Sequence, residues 1–285
     1  MTRRPLPLLL AALGTSVTAA LVWAIAVHVG PAHWLDATIL DGFTGLDGAR
    51  VHPIASDIAR LCDPQPFVWW SAIIVLVALY RRRPRSAAAA AVILAGANVT
   101  TQVLKPALAT HRFSTVLEHV GQVNSASWPS GHATASMSLA LCGILVAAPR
   151  WRPWVAAAGA VFTVAVVFSF LTLEWHYPSD VLGGFLVAST WTLVAVAGLA
   201  WAQQRWPQRR EPAPGGPRVI EALAPTVVAA VAALGLLALV LLARPQQVVD
   251  YAQEHSTFVV GAGVIGTLAL AIAAAFALVL RNSRR

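Results

Sequence analysis

Apolar residues run through this chain in eight long blocks separated by short polar connectors. The blocks cover approximately Leu6–Val29, Phe67–Tyr80, Ser86–Leu108, His132–Ala148, Trp154–Leu173, Val181–Gln203, Val219–Ala243 and Phe258–Leu280. A run of roughly 20 apolar residues is long enough to cross a bilayer as a helix, so the pattern predicts eight spans. The second block is short for that task, and its true start is expected a few residues earlier. The first exceeds the ~7–15 apolar residues of a cleaved signal peptide, so it reads as a retained span.

Three connectors are longer: Gly30–Pro66, Ala109–Gly131 and the Pro/Arg-rich Arg205–Arg218. The first of them carries Asp36, Asp41, Asp47, Asp57 and Asp63, interleaved with Ile54, Ile58 and Leu61 at helical spacing. It predicts one or two short amphipathic helices lying at the membrane interface. The fold class is therefore all-α, a polytopic transmembrane helix bundle. Residues 1–204 form a six-span core with short outer helices at 31–66, residues 205–218 a linker, and residues 219–285 a two-span C-terminal extension.

Composition agrees. Hydrophobic residues make up 58% and charged residues 11% of the chain, against about 25% charged in an ordinary soluble domain. The formal net charge of +8 invites a nucleic-acid reading, but no basic stripe is interleaved with exposed aromatics. The arginines instead gather at alternate turns: Arg3 and Arg4; Arg81, Arg82, Arg83 and Arg85; Arg150 and Arg152; Arg205, Arg209, Arg210 and Arg218; Arg281, Arg284 and Arg285. The positive-inside rule makes those turns cytoplasmic, with both termini; the membrane expected is the cell (plasma) membrane. Arg50, Arg60, Lys105, Arg112 and Arg244 remain for the outer face. Cys62 and Cys142 fall in a loop and in mid-span, which argues against a disulfide or a thiolate metal site.

Ionisable residues near span ends are the candidates for chemistry, and three clusters fall on the outer side. In the first, Lys105 and Arg112 are seven apart; in a helix they share one face about 10 Å apart. Lys105 is the single lysine of the sequence. An interfacial pair of snorkelling cations is the plainer account of this cluster alone. The second, Ser127 to His132, opens the fourth span. Pro129 and Ser130 suit a helix start, Gly131 allows close approach to the backbone, and the unpaired amides of a first helical turn bind phosphate-like anions. A simple N-cap beside a solvated histidine explains the same tetrapeptide. In the third, Trp175 to Asp180, Pro178 reads as a first-turn residue, which sets Asp180 near His176. A carboxylate on one imidazole nitrogen frees the other as nucleophile or base, although a capping Asp and an interfacial His fit as well. Taken together, two cations, an anion-binding helix start, two histidines and a carboxylate on one face are an inventory for phosphoryl transfer.

At these residues the chain resembles the type-2 phosphatidic acid phosphatase superfamily of membrane lipid phosphatases. The pattern Lys-x6-Arg is matched by Lys105 and Arg112. Pro-Ser-Gly-His is matched by Pro129, Ser130, Gly131 and His132, and the third motif by Ser169, His176 and Asp180. The resemblance extends over about Trp34 to Gln203, and the stretch from Ile58 to Asp63 looks like the family's lead-in. It implies His176 as a nucleophile forming a phosphohistidine, Asp180 as its orienting partner and His132 as the acid for the leaving group. Lys105, Arg112, Ser130 and the Gly131 amide would hold the phosphoryl oxygens, with no cofactor and no metal in the scheme. Its partners are a lipid phosphate and the bilayer, not nucleic acid.

Two positions depart from the family pattern. Phe113 stands in place of proline, and Phe170 replaces the arginine of the third motif. Losing one charge-assisted contact to a transition state costs about 2.7–4 kcal/mol; His111 is the nearest compensating cation in sequence. A phosphatase is the first reading, with phosphatidate, a phosphatidylglycerol phosphate or a polyprenyl phosphate as substrate. Related lipid phosphotransferases such as the sphingomyelin-synthase-like enzymes keep the His/His/Asp set without this arginine, so a phosphotransferase is the second. A non-catalytic lipid-phosphate binder or transporter is the third, and a zinc hydrolase built on His111, His119, His132 and His176, which lacks HExxH-type spacing, the fourth.

Overall fold

The computed structural model describes residues 5–112, 123–207 and 219–282, and every regular element in them is a helix. The eight apolar blocks become α1 (Pro5–His28), α4 (Pro64–Tyr80), α5 (Pro84–Ala107), α6 (Gly131–Val146), α7 (Arg152–Thr172), α8 (Pro178–Arg205), α9 (Val219–Ala243) and α11 (Ser256–Asn282). The acidic connector forms two helices, α2 (Gly30–Thr44) and α3 (Val51–Arg60), and a further helix, α10 (Pro245–Glu254), stands where only a connector was expected. Five helices are long and apolar enough to cross a membrane alone, and seven spans result if α3 with α4 and α9 with α10 each count as one bent unit.

The bundle is built around α6. Thirteen of its 16 residues are buried, and it packs against α5, α7 and α8. The outer helices turn large apolar side chains outward: Leu6, Leu13, Val17 and Leu21 on α1, which packs on α8, and Val227, Val231 and Leu234 on α9, which packs on α7. Exposed apolar surface on this scale is untenable in water and is what helices solvated by lipid present. The protein is an integral membrane protein. Exposed tryptophans fall at two levels, Trp34, Trp69, Trp70 and Trp175 toward one end and Trp151, Trp154, Trp201 and Trp206 toward the other, as interfacial anchors do.

Between helices, where apolar contact gains nothing over lipid, polar contacts and packing carry the association. Thr15 and Thr190 hydroxyls meet at 2.8 Å between α1 and α8, and the Trp191 indole N–H donates to Thr100 at 3.0 Å. The C-terminal end of α6 receives N–H groups from Arg81 and Arg83 on the Val146 carbonyl, a favourable place for cations. The opposite end of α6 is where the candidate chemistry lies.

The C-terminal extension does not stand apart from this core. α11 packs on α7 and α2, Phe258 meets Phe43 edge-on at 4.8 Å, and the Tyr251 hydroxyl donates to the Gly42 carbonyl at 2.6 Å. Of the positively charged turns, Arg3, Arg4, Arg209, Arg210, Arg218, Arg284 and Arg285 lie outside the described residues, as do Phe113 and His119.

Candidate active site

The start of α6 is fixed by its own cap and by α8. Ser130 occupies the N-cap, its hydroxyl accepting from the Ala133 amide at 3.3 Å, and its own N–H donates to the Asp180 carbonyl at 2.9 Å. The Thr134 amide bonds the Ser130 carbonyl. Among the described residues, the Gly131 and His132 amides are then left without a protein acceptor, which is the condition for anion binding at a helix start. Such intimacy between two helix ends requires glycine. A Cβ on Gly184 would come 2.8 Å from the Ser130 carbonyl, and one on Gly183 would come 2.7 Å from the Trp128 ring. The Gly183–Gly184 pair was overlooked in the sequence, although two glycines a turn beyond Asp180 in an apolar helix signal close helix packing.

His176 is delivered by the end of α7. The Glu174 amide bonds the Leu171 carbonyl and the Trp175 amide the Phe170 carbonyl, both at 3.0 Å. This is a Schellman turn, with Glu174 at φ 60° in the position glycine usually takes. Holding an L-residue there costs about 1–2 kcal/mol, and the turn throws His176 back onto the start of α8. Pro178 is the first residue of α8, as its fixed φ favours. Asp180 then accepts the Tyr177 amide at 3.0 Å and faces His176 Nδ1 at 3.4 Å, both on Oδ2. A proton on Nδ1 facing that carboxylate leaves Nε2 as the free lone pair. Burial pushes the His176 pKa below its ordinary value, with Asp180 working in the other direction, so the ring is neutral at pH 7.

Arg112 lies behind this pair. The helix-face relation expected between Lys105 and Arg112 is not formed: α5 ends at Ala107, one residue after Pro106, whose ring removes a backbone donor. Arg112 therefore sits on a non-helical strand of chain and turns inward. Its Nη1 donates to Ser179 Oγ at 2.9 Å and Asp36 Oδ2 at 3.2 Å. Its Nη2 donates to Ser127 Oγ at 2.7 Å and to Asp180 Oδ1. Four contacts use the four terminal N–H bonds of a guanidinium, leaving Nε–H alone. The cation also stacks 4.1 Å from the Tyr177 ring centroid. Asp36, on α2, binds the Ser179 amide and hydroxyl at 2.8 and 2.6 Å. Its carboxyl is raised to about 6 because burial outweighs Arg112. The sequence reading placed Asp36 on an interfacial helix and missed this role; its one signal was an aspartate on a helix otherwise able to bury Ala37, Leu40 and Phe43.

The other side of the site is open. Lys105 Nζ lies 3.6 Å from where a Gly131 Cβ would be, with the Gln102 amide nitrogen at 3.9 Å. His132 lies 6.5 Å from His176 between ring centroids, and its Nε2 is 3.0 Å from Asp63 Oδ1. Phe170 is fully buried and packs against both imidazoles, 5.9 Å from His132 and 5.3 Å from His176. Its ring forms an apolar wall beside them. Ser169 beside it is buried. His111 is exposed and no described contact ties it to either histidine. Lys105, Ser130, Gly131, His132, His176, Asp180 and Arg112 thus meet at one end of the bundle.

Residues 86–204 match the model of the PAP2 superfamily. That segment spans α5 to α8 and holds all three motif clusters, but neither Asp36 nor Asp63. The fold is similar to the crystal structure of the first transmembrane PAP2 type phosphatidylglycerolphosphate phosphatase from Bacillus subtilis. The TM-score is 0.56 at 17% sequence identity, with 70% of this chain and 98% of that chain covered. A likeness at that identity speaks to the fold. No curated protein matches the chain.

Proposed function

We propose that this membrane protein is a lipid phosphatase that works through a phosphohistidine, at the face of the bilayer opposite its arginine-rich turns. A phosphoryl group sits over the start of α6, held by the Gly131 and His132 amides, the Ser130 hydroxyl and Lys105. Arg112 adds positive charge from behind while its N–H groups hold Asp180 and Asp36. His176 Nε2 attacks phosphorus in line, the P–O bond to the leaving group breaks, and His132 gives its proton to the departing oxygen. Water, deprotonated by His132, then displaces His176 from phosphorus and returns inorganic phosphate. The residues needed for these steps are all of the chain's own making, and the lipid tail stays in the bilayer beside the outer ends of the spans.

The observation that carries this reading is the His176–Asp180 pair, with Asp180 bonded through its carbonyl to the N-cap of α6. One residue thereby registers the nucleophile against the anion-binding helix start. The matched family segment supports the same activity, and the substrate class proposed is a lipid phosphomonoester or diphosphate. Purified protein in proteoliposomes, given phosphatidate, phosphatidylglycerol phosphate or a polyprenyl phosphate with no added acceptor, is expected to release inorganic phosphate. Absence of release from all three overturns the proposal.

Phe170 favours a second reading. An apolar wall against both imidazoles hinders water from reaching a phosphohistidine, which suits transfer to an alcohol acceptor. Consumption of the donor only when a lipid alcohol is added, with the phosphoryl group recovered on that alcohol and not as inorganic phosphate, would decide for it.

A further inference from the structure

His132 and His176 are the same chemical group, 6.5 Å apart between ring centroids, yet the reaction proposed above requires opposite protonation states. The nucleophile must be neutral and the acid charged, and a site separates two such groups by giving them different surroundings. Each imidazole faces a carboxylate, Asp180 for His176 and Asp63 for His132. The two carboxylates differ in what else they serve. Asp180 shares its charge with Arg112 and accepts the Tyr177 amide as well. Asp63 has His132 as its ion-pair partner among the described residues.

The backbone shows how Asp63 comes to be spared. It stands at the N-cap of α4, ahead of Pro64, where an aspartate ordinarily bonds its own helix. Here no side-chain cap bond forms. The Asp63 carbonyl caps the helix by accepting the Phe67 amide at 2.9 Å, and the carboxylate turns across to His132 instead. α3 and α4 meet at a 49° bend, and the chain just before it is anchored through buried Ala55, Ala59 and Cys62. The bend aims the cap residue at α6.

We propose, on the reading of the site given above, that Asp63 is a positioning residue for His132. Its carboxylate accepts from Nε2–H, turns Nδ1 toward the leaving oxygen, and favours the imidazolium form from which His132 gives up its proton. The other groups facing His132 are Lys105 from α5 and His176 from the α7–α8 turn, with the neutral rings of Phe170 and Trp175 beside it. Burial first, and then the Lys105 cation, disfavour a positive His132, and Asp63 is the group that works against them. The segment matched by the family model begins at residue 86, so this residue lies outside it.

Two measurements on the full-length protein in nanodiscs test the assignment. In Asp63→Asn the hydrogen bond persists but the charge is gone. The basic limb of kcat is expected to move down by about one pH unit, an approximately tenfold loss on the alkaline side. Little loss is expected on the acid side, KM should be unchanged, and Asp63→Glu should restore most of the rate. Independently of turnover, histidine-labelled NMR with His132 identified by His132→Gln is expected to show its titration midpoint fall in Asp63→Asn while that of His176 holds. An unmoved His132 titration overturns the proposal. So does a rate loss that is equal at every pH in both the Asn and Glu variants, since that marks a merely structural role. If the unaltered protein releases no phosphate, the function proposed above fails, and the NMR titration still decides the role of Asp63.

Discussion

The two halves of the site are built to opposite specifications. Around the proposed nucleophile, the side chains of Arg112, Asp36, Asp180 and His176 are 5%, 7%, 0% and 8% exposed, and each ionic group has at least one partner in contact. Around the proposed acid, His132 and Asp63 are 20% and 40% exposed and share one contact. In-line attack tolerates little misplacement, so the attacking atom belongs in rigid packing. A proton must instead pass to a leaving alcohol and come back from water, so the acid belongs where solvent reaches it. The phosphoryl group would sit on the seam between a dry, cross-braced wall and a wet one.

The sharpest way to break that contrast is to remove the nucleophile. His176→Ala is expected to reduce phosphate release to background, a loss on the order of 10⁶-fold if this residue forms the covalent intermediate. The protein should still fold, and an acid-labile phosphoenzyme seen with labelled substrate should vanish. Retained turnover would move the covalent chemistry elsewhere. The next effect is on stability. Arg112→Ala leaves Asp36 and Asp180 as neighbouring buried carboxylates with no cation between them. Breaking a buried pair in this way costs about 3–5 kcal/mol, so thermal unfolding in detergent should fall sharply. Removing Asp63 on the open side should barely move it. Equal losses from both would show that the two walls do not differ in kind.

Much of this was legible in the sequence because the informative residues sit in short fixed spacings. Pro129 to His132 and His176 to Asp180 each lie within one helical turn, so local rules for caps and first-turn prolines placed them correctly at helix starts. The apolar blocks gave the helices for a similar reason: lipid solvation leaves little choice of backbone. What was not legible depends on chain segments meeting across the bundle. Asp36 and Asp63 are two of five aspartates in a connector where each looked like interfacial polarity; only packing of α2 against α8 and the bend at α4 single them out. Arg112 was expected on a helix face with Lys105, and Pro106 ended the helix first. Phe170 was read as standing in place of an arginine, and the spacing alone could not show that its ring packs against both histidines.

A pH profile sharpens the contrast further. Because burial lowers the His176 pKa, the acid limb of kcat/KM, which reports the free enzyme's nucleophile, should fall below the ordinary histidine value of about 6.5. The basic limb, set by His132 in its more exposed setting, should respond to Asp63. An acid limb at or above the ordinary value would mean that His176 is not desolvated as the dry wall requires.

The smallest effect separates burial from charge within that wall. Asp36 has a folded-state value near 6, raised from 3.8, so the folded protein holds this proton more tightly than the unfolded chain. Its contribution to stability is then fully present below about pH 3.8 and is lost as pH rises through about 6. His176, lowered in the fold, acts in the opposite sense, since its stability contribution is lost as pH falls below its unfolded value. The two trends overlap, so the unaltered protein alone cannot separate them, but Asp36→Asn removes the first and leaves the second. The melting temperature of the unaltered protein relative to Asp36→Asn should therefore climb as pH is lowered from about 7.5 to about 5, by roughly 1 kcal/mol in stability terms. Parallel melting curves across that window would mean that Asp36 stays ionised throughout. Arg112 would then outweigh burial, and the Asp36–Arg112 ion pair would brace the dry wall at every pH in that window.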